Sequence, residues 1–168
     1  MNPVSSLQPP RICLATVDMA AQLLELQQLC FREEAELHQE FDIPPLTQTL
    51  EGLREDFRTH TILAAWQGKW LIGSARGRRD GSIGRIGRLM VHPDCRRQGL
   101  GAKLLAAIEA AFPGVEAYEL FTGERSVDNL RRYQGLGYVP FRREVVTPRL
   151  TLVHLRKRRP PVLETPPD

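Results

Sequence analysis

The run Val91-His92-Pro93-Asp94-Cys95-Arg96-Arg97-Gln98-Gly99-Leu100-Gly101-Ala102-Lys103 carries two arginines and two glycines into the start of a helical stretch. A helix N-terminus presents unpaired amides and a partial positive charge, so it binds anions. Glycines there let a phosphate approach the backbone, and the arginines add positive charge. The chemistry predicted is a pyrophosphate cradle. Two better-known cradles are excluded by spacing. The phosphate-loop pattern Gly-x-x-x-x-Gly-Lys-Ser/Thr is absent. The run Gly81-Ser82-Ile83-Gly84-Arg85-Ile86-Gly87 has the wrong spacing for a dinucleotide fold and reads as strand.

The elements that must position this run follow from apolar periodicity and turn signals. Ile12 to Ala15 reads as a short strand. Thr16 or Asp18 can then N-cap a helix to about His38, with Ala20, Leu23, Leu24 and Cys30 among its apolar positions. Phe41-Asp42-Ile43-Pro44-Pro45 breaks it, and Thr47 is expected to cap a second helix bearing Leu46, Leu50, Leu53 and Phe57. Strands Thr61 to Trp66 and Trp70 to Arg76 flank the hairpin signal Gln67-Gly68-Lys69. Arg79-Asp80-Gly81 turns the chain into a third strand, Ile83 to Val91. Its apolar phase slips between Ile83 and Ile86, near Gly84 and Gly87, which predicts a bulge or a close approach to the backbone.

After the cradle, Leu100, Leu104, Ala107, Ile108 and Ala111 mark a helix that stops before Pro113-Gly114. Tyr118 to Thr122 is a strand, and Ser126 can cap a short helix to about Leu136, ended by Gly137. Strands Tyr138 to Val145 and Leu150 to Arg156 close the domain. This order predicts one α/β domain over residues 11–159, a mixed sheet with helices on both faces. A helical crossover after Val91 makes the next strand a parallel neighbour. Residues 1–10 and 160–168 are proline-rich or polar and are expected to be disordered.

The net charge of +3 hides an asymmetry. Residues 1–60 carry ten acids against four bases, and residues 61–159 carry eight acids against nineteen bases. Such a split suggests one face for a cationic partner and another for an anionic one. Twenty of the twenty-three bases are arginine, so a compositional bias explains it equally well. No apolar run approaches the roughly 20 residues that span a bilayer. Cys13, Cys30 and Cys95 are scattered, with no metal-ligand spacing. Residues 1–10 lack the order of a secretory signal, and a cytoplasmic location is expected.

Arg96-x-x-Gly99-x-Gly101, after a strand ending in Val91-His92-Pro93, resembles the acetyl-CoA signature of the GNAT superfamily of N-acetyltransferases, Gln/Arg-x-x-Gly-x-Gly/Ala. A second run, Asn129-Leu130-Arg131-Arg132-Tyr133-Gln134-Gly135-Leu136-Gly137-Tyr138, is similar to the family's Asn-x-x-x-Tyr-x-x-x-Gly-Phe/Tyr. The element order resembles the family fold over residues 11–156. That fold implies about seven mostly antiparallel strands, a splayed central parallel pair and four helices.

The resemblance implies acetyl-CoA as co-substrate, no metal, and an amine acceptor attacked directly in a ternary complex. Arg96, Arg97, Gln98, Gly99, Leu100, Gly101 and Ala102 would form the cradle, with backbone groups of Leu89 and Val91 pairing to the pantetheine arm. Met90 or a neighbouring amide would polarise the thioester carbonyl, and Asn129 would contact the cofactor arm. Tyr133 would protonate the departing thiolate, which a phenol with an ordinary pKa near 10 can do. Some relatives carry a basic glutamate at a position matching Phe121 here, so Glu119, two residues earlier on the same strand face, is the candidate base. His92 before proline is read as structural. Cys95 has no activating partner and is left out of the chemistry.

Glu33, Glu34, Glu36, Glu40, Asp42, Glu51, Glu55 and Asp56 cluster on the first two helices and their connection, where the family shapes its acceptor pocket. A cationic amine would suit them, and a solvated face is the plainer reading. No membrane or nucleic-acid partner is expected, and a homodimer is left open. The alternative function is a CoA-binding sensor or interaction module that keeps the cradle without catalysis. The missing glutamate and Gly135 favour that alternative.

Overall fold

Near-continuous apolar strand segments such as Ile62 to Trp66 require cover on both faces of a sheet, and the computed structural model has this arrangement. It describes residues 8–160; the segments expected to be disordered otherwise lie outside the described residues. The chain runs β1 (Arg11–Leu14), a 3-10 turn (Val17–Met19), α1 (Ala20–His38), α2 (Pro44–Thr47), α3 (Leu50–Thr59), β2 (Thr61–Gln67), β3 (Trp70–Asp80) and β4 (Ile83–Val91). It continues through a 3-10 turn (Pro93–Cys95), α4 (Leu100–Ala110), β5 (Ala117–Gly123), α5 (Val127–Gly135), β6 (Val139–Thr147) and β7 (Leu150–Arg158).

Seven strands form one sheet in the order β1-β2-β3-β4-β5-β7-β6. Every pairing is antiparallel except β4 with β5. On one face, Leu23 and Leu26 of α1 and Leu53 of α3 pack with Ile62 and Met90. On the other, Leu100, Leu104, Leu105 and Ile108 of α4 pack with Leu63, Ala75, Leu120 and Leu155. Burying each such leucine contributes about 1.5–3 kcal/mol, so α4 is fixed firmly enough to hold whatever its N-terminus binds.

Helix starts differ from expectation in four places. Thr16 caps only the 3-10 turn, where its hydroxyl meets Asp18, and α1 begins at Ala20. Pro44 and Pro45 open a separate one-turn helix, so there are five helices rather than four. Gln48 is extended at ψ 132°, and Thr49 rather than Thr47 caps α3, its Oγ1 accepting from the Gly52 amide at 3.0 Å. Ser126 precedes α5 without a side-chain cap and is used elsewhere.

The two central strands pair only at Ile83↔Ala117, Gly84↔Tyr118 and Arg85↔Glu119. Beyond that point they separate. Against β3, Gly87 faces Arg76 and Met90 faces Ser74, so Arg88 and Leu89 stand opposite the single residue Ala75. That is a β-bulge, two residues beyond the expected slip, with Arg88 at φ 47°. At the closed end Glu119, 8% exposed, accepts from Arg85 Nη1 at 2.9 Å and from Arg156 Nη2 at 2.6 Å. Its carboxylate ties β4, β5 and β7 together. Removing one partner of a buried ion pair costs about 3–5 kcal/mol. Both arginines here are a third or more exposed, which reduces the cost. Glu119→Gln is therefore expected to lower unfolding stability by about 1–3 kcal/mol in urea titrations. An unchanged midpoint would contradict the clamp.

Candidate active site

The cradle is built by a strand end, a 3-10 turn and the first turn of α4. Gly99 stands before α4 at φ 80°, and a Cβ there would meet nothing within 4 Å. The left-handed region suits glycine, and Arg97 shares it at φ 62°. Gly101 meets only Val91 Cγ2, at 3.8 Å. Among the described residues, none accepts a hydrogen bond from the amides of Arg97, Gln98, Gly99, Leu100, Gly101 or Ala102. Six unanswered donors around an open space fit a pyrophosphate.

Arg96 has a different role from its neighbours. Its Nε donates to the Val91 carbonyl at 3.2 Å, and its Nη1 meets Glu33 of α1. It fixes the turn to α1 instead of lending its guanidinium to the cradle. The Val91 carbonyl also accepts from Cys30 Sγ at 3.4 Å, so it is already engaged. Leu89 sits in the bulge, without a register partner on β3 or β5. The Met90 side chain is buried toward α1 and α3. Cys95 is buried, and burial pushes its thiol up.

The separation of β4 and β5 opens a cleft of about 390 Å³. Gly87, Arg88 and Leu89 line one side, and Leu120, Phe121 and Thr122 the other. Asn129 and Tyr133, one helical turn apart on α5, line it too. Asn129 Nδ2 donates to Thr122 Oγ1 at 3.4 Å. The Tyr133 ring packs near Tyr138, with centroids 6.2 Å apart. No described residue hydrogen-bonds its hydroxyl. Burial pushes the phenol up to about 12; nearby Arg132 opposes this and Glu34 adds to it. The group is therefore protonated and available as a donor.

Sequence reasoning missed the contacts that aim α5. Ser126 Oγ donates to Glu34 Oε1, which also accepts from the Gly123 amide at 3.3 Å. The Arg125 amide donates to His38 Nε2 at 3.2 Å, so His38 carries its proton on Nδ1, 3.0 Å from the Glu34 carbonyl. A neutral, buried histidine thus joins α1 to the β5–α5 turn. A Cβ on Gly123 would collide with the His38 ring and lie 2.8 Å from Glu34 Oε1. These residues are far apart in sequence, and no local pattern joins them.

Of the eight clustered acids, Glu34 alone lines the cleft. Glu33 pairs with Arg96, Glu51 with Arg54, Glu55 with Arg58 and Asp56 with Arg76. Glu119 is absent from the lining, and its two oxygens are occupied by Arg85 and Arg156. Among the described residues no cluster of three or more metal-ligating side chains could hold an ion. No described helix is long and apolar enough to cross a membrane.

Comparisons with known proteins bear on the fold and the family. Residues 31–159 match the acetyltransferase (GNAT) domain family. No curated protein matches the chain by sequence. Among solved structures, PaiA N-acetyltransferase from Thermoplasma acidophilum, in complex with coenzyme A, superposes with a TM-score of 0.75 at 14% identity. That match covers 90% of this chain and all (100%) of the other. An acetyltransferase from Thermus thermophilus gives a TM-score of 0.69 at 15% identity, over 91% and 99% of the two chains. Ribosomal-protein-alanine N-acetyltransferase from Brucella melitensis gives 0.67 at 17% identity, over 88% and 99%. These likenesses carry the fold. With the family match spanning most of the sequence, the chain belongs to the GNAT acetyltransferase family.

Proposed function

We propose that this protein is an N-acetyltransferase that moves the acetyl group of acetyl-CoA to a primary amine by direct attack in a ternary complex. One observation carries the reading: β4 parts from β5 above Arg85 and Glu119, with unanswered amides at the far end of β4 and Tyr133 lining the gap. Acetyl-CoA supplies an activated acyl carbon, and holding it beside the amine removes much of the entropic barrier. The amides of Arg97 to Ala102 hold the pyrophosphate, and the Leu89 bulge offers backbone groups to the pantetheine arm. Asn129 contacts that arm from α5.

Tyr133 gives its proton to the leaving sulfur and regains one from water. Glu34, the carboxylate in the cleft, faces the incoming ammonium. The amine loses one proton to solvent, attacks the thioester carbon as the neutral amine, and gives the proton left on nitrogen to water as the carbon–sulfur bond breaks. Glu119 is assigned to the clamp, not to proton abstraction. We place the reaction in a reducing cytosol, in keeping with three cysteines that remain free thiols.

Isothermal titration is expected to give saturable acetyl-CoA binding, and no binding at millimolar concentration would sink the proposal. Tyr133→Phe is expected to lower kcat by about 10²-fold, with little change in acetyl-CoA affinity. Equal turnover would remove Tyr133 from the chemistry. Because the phenol stays protonated to about 12, kcat should rise as the amine deprotonates and show no falling limb up to about pH 10. A falling limb below that pH, lost in Tyr133→Phe, would show the phenol titrating lower than its burial implies, and one that persists in Tyr133→Phe would belong to another group.

A further inference from the structure

The cleft carries more positive charge than its surroundings neutralise. Arg76, Arg78, Arg85 and Arg88 line it, against the single carboxylate of Glu34. Two of the four are neutralised from outside. Arg76 pairs with Asp56, and Arg85 with Asp80 at 2.5 Å and Glu119 at 2.9 Å. The guanidinium groups of Arg78 and Arg88 form no hydrogen bond or ion pair with any described residue. The Nε of Arg88 is fully buried and unpartnered. Its guanidinium stands 6.0 Å from the Phe31 ring centroid, a contact with no counter-charge. Asp56, whose charge reaches Arg88, is already bound by Arg76 and by Gln48 Nε2 at 2.6 Å. Gln48 is held in turn by Gln27, so this carboxylate is not free to turn toward Arg88.

A partly buried cation whose inner nitrogen has no partner is costly, and a site keeps one where a ligand completes it. Burial and the neighbouring Arg76 hold the Arg88 guanidinium down to about 10, so it is still charged at neutral pH and lacks only an anion. The phosphates of acetyl-CoA cannot supply that anion if they occupy the cradle. Arg88 lies three residues before the end of β4, roughly 10 Å of strand away, and the cofactor between phosphates and acetyl group is neutral. The missing charge is left to the acceptor.

We propose that the acceptor is an amine bearing an anionic group, a carboxylate or a phosphate, bound by Arg88 with Arg78 as the second free cation of the cleft. The inference rests on the N-acetyltransferase reading and names its substrate class. Glu34 takes the ammonium end and Arg88 the anionic end. The surplus of acids in the first sixty residues therefore does not select a cationic acceptor: Glu33, Glu51, Glu55 and Asp56 pair with arginines, and Glu36, Glu40 and Asp42 do not line the cleft.

The test compares matched amines by CoA release: phenylalanine against phenylalaninamide and phenethylamine, and phosphoethanolamine against ethanolamine. At least one anionic member is expected to exceed its neutral counterpart in kcat/KM by about tenfold or more, as a charge-assisted pair allows. The arm that responds distinguishes carboxylate from phosphate. Arg88→Gln should collapse that ratio to within about threefold. A folding defect would instead scale both members together and leave the ratio intact. Arg78→Gln, at an exposed position, should lower the same ratio by less. Equal or better turnover of neutral amines or polyamines by the wild type would overturn the inference while leaving the acetyltransferase reading intact. So would a protein that binds acetyl-CoA yet neither acetylates nor binds any anionic amine in calorimetry. Failure to bind acetyl-CoA at all would instead remove the underlying reading.

Discussion

The parting of β4 from β5 is the constraint on which the rest depends. Parallel strands normally continue pairing along their length, because unpaired backbone groups in a sheet interior are costly. Here three register pairs close one end, and the Arg85–Glu119–Arg156 clamp holds that end. The Arg88–Leu89 bulge turns β4 away at the other end. The interior of the sheet becomes a cleft whose walls are backbone. A ligand with alternating amide groups can then take the place of the missing strand neighbour.

Two devices keep the cleft aligned with the groups that work in it. Leu100, Leu104, Leu105 and Ile108 bury α4 against the sheet, so the open amides at its N-terminus point from a fixed support. On the other side, His38 and Glu34 reach from α1 to the turn between β5 and α5. That link sets where α5 begins, and Asn129 and Tyr133 follow one helical turn apart. The small Gly123 is what lets the His38 ring approach. Specificity is built from the same elements. The relay from Gln27 through Gln48 and Asp56 to Arg76 crosses α1, the α2–α3 connection, α3 and β3, and it leaves Arg88 without a counter-ion.

Local signals were legible in the sequence and long-range pairings were not. Ile83 to Val91 was readable as a strand because turn residues bound it, and the phase slip announced the bulge within two residues. The positions of the glycine run before α4 and of Tyr133 on α5 were readable because motif spacing ties them to those elements. Cap placement failed where hydroxyls had competing partners. Thr47 lies within a one-turn helix opened by two prolines, and Ser126 bonds Glu34 instead of its own helix. The role of Glu119 was hidden for a related reason. Strand alternation gave its face, but its two arginine partners come from strands β4 and β7, whose register no local pattern encodes.

A crystal structure of the protein with coenzyme A tests the central claim most directly. The account predicts the pyrophosphate on the amides of Arg97 to Ala102, the pantetheine arm between β4 and β5, and the sulfur within hydrogen-bonding reach of the Tyr133 hydroxyl. A cofactor bound outside the β4–β5 separation, or a sulfur remote from Tyr133 in a fully occupied site, would contradict it.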